Sequence, residues 1–170
     1  MPKMSAKSDK TMYMTVREEL HLTREKASQL IESQAERIIS ADRLEKIENK
    51  RLIANPDEIL SMANAYKCPA LINYYCTHDC EIGSKHINEI KPKELPQIAI
   101  ETLASLNRLN QVKDRLLEIV EDGEISEDEY DDFRAIKANL DKIAGAVESL
   151  RLWLQESAAN KIIDLERISR

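Results

Sequence analysis

The sequence predicts an all-α protein, and three observations carry that prediction. Glu, Lys, Leu, Ile and Ala dominate, while aromatics are 4% and only 3 Gly and 5 Pro interrupt 170 residues. Straight-chain residues and Ala lose little on entering a helix, so this composition favours helix over sheet. Helix start and stop signals punctuate the first half. In the second half, apolar residues recur at spacings of three and four, the period of helices packed side by side.

An apolar content of 42% can build a core, which argues against wholesale disorder. No apolar run approaches the length that crosses a bilayer. Residues 1–12 are polar, lack the apolar segment of a signal peptide and read as a short flexible tail, so a cytoplasmic location without membrane association is expected. Residues 13–80 form the first expected domain. Val16, Leu20 and Leu22 mark its first helix. Thr23 caps the next, which carries Glu25 in its first turn and Ala27, Leu30 and Ile31 inward. Ser40 caps a third helix whose Leu44 and Ile47 share one face. Asn55-Pro56-Asp57-Glu58 is the sharpest start signal, with a cap, a proline at the first helical position and an acid three residues after the cap. Ile59, Met62, Ala63 and Tyr66 form the inward face of that helix. Pro69 ends it, and Leu71 to Cys76 starts another. Residues 81–94, with Gly83 and Pro92, read as a linker.

Residues 95–170 read as two long helices joined by a short turn, an antiparallel hairpin. In the first, Leu103, Leu106, Leu109, Val112, Leu116, Ile119 and Val120 make one stripe. In the second, Phe133, Ile136, Leu140, Ile143, Val147, Leu150 and Leu154 keep a heptad seam without exception, as in a coiled coil. The stretch between them, Glu121 to Tyr130, looks like the back half of a calcium loop. Asp122, Gly123, Ile125 and Glu129 fall where an EF-hand needs an acid, a turn glycine, an aliphatic and a bidentate glutamate. The loop also needs oxygen ligands at its first and third positions, and these hold Glu118, inside a helical run, and Val120. The turn reading accounts for every residue: Gly123 takes a left-handed conformation, while Ser126 and Glu129 form a capping box.

Charge is unevenly placed. Residues 1–92 hold 14 of the 25 basic and 14 of the 31 acidic side chains, leaving 11 basic and 17 acidic in residues 93–170. A nucleic-acid partner would therefore meet the first half, through local patches rather than bulk charge.

Ser40-Ala-Asp-Arg-Leu-Glu-Lys-Ile-Glu-Asn-Lys-Arg51, followed by Pro56 and Ile59-Leu-Ser-Met-Ala63, resembles the bacterial lambda-repressor-like (XRE-type) helix-turn-helix regulators. Arg17-Glu-Glu-Leu-His-Leu-Thr-Arg-Glu-Lys26 is similar to the approach to their second helix. The resemblance covers about a third of the chain. It implies a transcriptional regulator that binds double-stranded DNA as a homodimer, with the third helix in the major groove. Ser40, Ala41, Asp42, Arg43 and Lys46 would then face the DNA, with Arg43 reading guanine through its two-pronged guanidinium. Thr23, Arg24, Lys26, Lys50 and Arg51 would contact phosphates. Two features depart from the family pattern. The connection between the second and third helices is longer and has no glycine. Asp42 and Glu45 bring negative charge toward phosphates, opposing counterion release. An adaptor that keeps the helix-turn-helix shape for protein contacts is the alternative. The small residue where the second helix meets the third is Ala27 or Ser28.

Cys68, Cys76, His78, Cys80 and His86 lie close in sequence. They could offer zinc four ligands, or be small core residues; the spacing matches no zinc-finger pattern. Three cysteines, an odd number between positions 68 and 80, make no disulfide framework. No Gly-rich phosphate loop, nucleophile elbow or histidine pair on one helical face is present, so no enzyme, catalytic residue or cofactor is expected.

Overall fold

A computed structural model describes residues 10–34, 37–121 and 123–168, and these hold nine helices and no strand. Residues 1–9 of the expected tail lie outside the described residues, as do Ala35 and Glu36 of the long connection, Asp122 of the turn, and Ser169 and Arg170. The helices are α1 (Met12–Glu19), α2 (Arg24–Gln34), α3 (Ala41–Glu48), α4 (Pro56–Ala65), α5 (Ala70–His78), α6 (Gly83–His86), α7 (Leu95–Ile119), α8 (Tyr130–Ala159) and α9 (Leu165–Ile168). The chain divides into two compact units, residues 1–89 with 154–170, and residues 90–153, a boundary that falls within α8. No helix among the described residues is long and apolar enough to cross a membrane.

The first unit has one apolar core, to which α1 gives Tyr13, α2 gives Ala27 and Ile31, α3 gives Leu44 and Ile47, and α4 gives Ile59 and Met62. Thr11 and Met12, the last two residues of the expected tail, belong to the folded unit. Thr11 is buried, caps α1 by accepting the Met14 N–H and donates its hydroxyl to the Glu48 carbonyl at 3.0 Å. Ala27 is the small residue that disappears into the core, while Ser28 donates its hydroxyl to the Ile39 carbonyl at 2.7 Å. Ile39 is itself fully buried. In a connection without glycine, the buried Ile39 and the Ser28 hydrogen bond thus fix the chain just before Ser40 at the head of α3.

Ser40 and Asn55 start α3 and α4 as expected: the Ser40 hydroxyl accepts the Arg43 N–H at 3.2 Å, and the Glu58 carboxylate accepts the Asn55 N–H at 2.8 Å. Lys50, at φ 56°, closes α3 in the left-handed region, and the following Arg51 N–H bonds back to the Lys46 carbonyl at 2.8 Å. The Tyr13 hydroxyl donates to Asp79 at 2.6 Å, and the Tyr13 ring meets Tyr74 edge-on, so α1 and the end of α5 are tied together. The expected linker contains a turn of helix, α6. Gly83 is what permits it, because a Cβ there would lie 2.2 Å from the Cys76 carbonyl oxygen.

In the second unit α7 and α8 run antiparallel, since Arg115 pairs with Asp132 near the turn and Asn139 bonds to the Ser105 carbonyl farther along. Gly123, at φ 79°, takes the left-handed conformation within the turn, and Glu129 accepts the Ser126 N–H at 3.0 Å. The seam on α8 differs from the expected one. Ile136, Asn139, Ala146 and Ser149 are buried, whereas Leu140, Val147 and Leu150 are exposed by 43%, 49% and 39%. On α7 the stripe divides likewise: Ile119 is buried while Leu103, Leu106 and Val120 are exposed. Small and polar side chains occupy much of the buried side of this pair, and large aliphatics stand one residue farther along. A step of one residue turns about 100° around a helix.

Candidate nucleic-acid interface

α3 buries Leu44, Ile47 and Glu48 and exposes the opposite side, where Asp42 and Lys46 stand out to solvent. Two carboxylates fix its ends. The Glu48 side chain is wholly buried and is held by two arginines from other helices. Arg17 of α1 donates Nε to Oε1 at 2.5 Å and Nη2 to Oε2 at 2.9 Å, and Arg24 of α2 donates Nε to Oε2 at 2.8 Å. A buried carboxylate needs such partners because its desolvation is expensive. The arrangement sets Arg24 beside α3, with its two Nη groups not engaged by Glu48.

The second carboxylate is Glu58, in the first turn of α4, whose side chain is 3% exposed. It grips Arg43 of α3 side-on. Arg43 Nε donates to Oε1, and Nη2 donates to Oε2 at 2.7 Å. Burial pushes the Glu58 carboxyl up, but the hydrogen bonds from Arg43 and the Asn55 N–H, with the charges of Arg43 and Arg37, outweigh it and hold it below its ordinary range. Arg37, in the α2–α3 connection, pairs with Asp57 next to Glu58.

The residues expected at DNA therefore fall into distinct situations. Thr23 accepts the Lys26 N–H at the head of α2. Ser40 is occupied as the α3 cap, and Ala41 is half-buried behind it. Lys46 pairs with Asp42 at 2.8 Å, and Arg51 pairs with Glu45 at 3.2 Å. Lys26 and Lys50 are exposed and have no ion pair among the described residues. All lie on α2, α3 or the connections at their ends. Sequence reasoning missed Arg17, Arg37, Glu48 and Glu58 as site-shaping residues. Glu58 was recognisable as a capping acid, but nothing local marked it as the partner of an arginine 15 residues earlier.

The cysteines and histidines do not converge: no three His, Cys, Asp or Glu side chains among the described residues are placed to hold a metal. Cys68, Cys76 and Cys80 are free and half-buried. The Cys80 sulfur accepts the Gly83 N–H at 3.4 Å, and His78 stacks on Tyr74 with ring centres 4.3 Å apart.

Comparison with family models, curated proteins and solved structures finds no match to this chain.

Proposed function

We propose that this protein is a sequence-specific DNA-binding transcriptional regulator whose first unit is a lambda-repressor-like helix-turn-helix domain and whose α7–α8 hairpin joins two copies. The observation that carries the reading is the pose of α3. Its apolar side is anchored on α1 and α2, its outer side is open, and Arg43 is fixed at its leading end. This is the arrangement a major-groove helix requires. Lys26, Lys50, Arg24 and Arg51 flank α3 and supply phosphate contacts that set register.

The pairing of copies rests on the second unit. Leu106 and Val120 each follow a buried residue of α7, and Leu140, Val147 and Leu150 each follow a buried residue of α8. Because the helices run antiparallel, the two 100° rotations bring these aliphatics to the same side of the pair. A second copy laid on that side makes a four-helix bundle, and its two-fold axis suits the paired half-sites that such domains read.

A protein-docking adaptor is the second reading, favoured by one observation: the Asp42 side chain is 75% exposed, and Arg24, Arg43, Lys46 and Arg51 are all paired with the protein's own carboxylates. Selection of bound duplexes from random DNA by the purified protein separates the two. Enrichment of a two-fold-related motif supports the regulator. Recovery of unenriched sequence favours the adaptor.

A further inference from the structure

Arg43 carries five N–H donors in a fixed plane. Its grip on Glu58 uses the Nε side of the guanidinium, one donor from Nε and one from Nη2. The far edge, formed by the remaining donors of Nη1 and Nη2, stays available, and the Arg43 side chain is one-third exposed. Guanine presents two acceptors, O6 and N7, to the major groove, spaced for that far edge. A carboxylate held side-on also removes most of the rotamer freedom that a long side chain would otherwise lose on binding. Glu58 can serve as such a clamp because it is immobile itself: its Oε2 is fixed by the Asn55 N–H at 2.8 Å, at the head of α4.

We propose that Glu58 is a specificity-determining positioning residue, which clamps Arg43 side-on so that its free edge reads a guanine through O6 and N7. The proposal rests on the DNA-binding reading above, and it names the base read and the residue that sets the geometry of reading. Glu58 itself touches no DNA. The clamp also neutralises the Arg43 charge, so the contribution of Arg43 is discrimination rather than general attraction to phosphate.

The test uses the full-length protein and the duplex enriched from random sequence, in two forms that differ by one atom: guanine, or 7-deazaguanine without the N7 acceptor, at each selected guanine in turn. Wild-type protein should bind the guanine form about tenfold more tightly at one such base, since a bidentate pair contributes roughly 1–3 kcal/mol and 1.4 kcal/mol is a factor of ten. Arg43→Ala should bind both forms alike. Glu58→Gln keeps an acceptor for the Asn55 N–H but not a two-pronged carboxylate. It should lose most of the discrimination while its affinity for random duplex does not fall, because the released Arg43 charge becomes free to meet phosphate. Glu58→Asp, which keeps the charge with a shorter reach, should behave the same way and decides the matter if Glu58→Gln melts below the assay temperature. Full discrimination in a folded Glu58 variant, or none in the wild type at any selected guanine, overturns the clamp and leaves DNA binding standing. Absence of binding to any duplex at low salt removes the DNA-binding reading itself, and the clamp with it.

Discussion

Shut off from the surface, the Glu48 carboxylate at the end of α3 is held by Arg17 and Arg24. Removing it takes the nearest carboxylate from two charges, one of them on Arg17, which is only 5% exposed and is left with Glu18 at 3.8 Å and the Leu22 carbonyl. Glu48→Ala should therefore cost about 3–5 kcal/mol, the usual loss when one partner of a buried ion pair is deleted, measured by denaturant unfolding followed by circular dichroism. Lys50 poses the opposite case. Its left-handed backbone is one that glycine adopts more cheaply, so Lys50→Gly should stabilise the fold by roughly 0.5–1 kcal/mol. It should also weaken binding to every duplex alike, by loss of one phosphate contact. Improved stability with unchanged affinity would remove Lys50 from the interface. The caps of this region were legible in the sequence because capping is chemistry within a single helical turn. The Arg17–Glu48 and Arg43–Glu58 pairs were not, because their partners lie 31 and 15 residues apart and meet only once helices pack.

At the scale of elements, the same contrast separates α4 from α6 and α8. Asn55-Pro56 announced α4, whereas α6 depends on a close approach that no local rule encodes. Gly83→Ala would set a methyl group against the Cys76 backbone and should destabilise the α5–α6 contact by about 1–3 kcal/mol, as overpacking does. Hydrogen exchange at residues 83–87 should rise while α1 to α4 stay protected. Unchanged protection would mean that α6 contributes nothing to the unit. On α8 the heptad of large residues marked a helix but, with Ile136 buried and Leu140, Val147 and Leu150 exposed, only part of its buried side. Asn139 lies on that side because its amide reaches the Ser105 carbonyl, and periodicity alone cannot tell a seam facing a partner within the chain from one facing a second chain.

The molecule as a whole joins a charge-balanced first half to an acidic second half, so its proposed partners are also divided: DNA for one unit and a second copy for the other. Val147→Glu introduces a charge on the exposed side of α8 and should convert a dimer to a monomer in light scattering at micromolar concentration without changing the unfolding of the first unit. A wild-type protein that is already a 19.5 kDa monomer would contradict the pairing. Binding to the selected duplex across a salt series tests most directly whether α3 is a DNA-reading helix. Affinity should fall about 10³–10⁵-fold between 50 and 200 mM salt, as for other proteins that make six to ten phosphate contacts. Binding that is absent at low salt, or indifferent to salt, would contradict it.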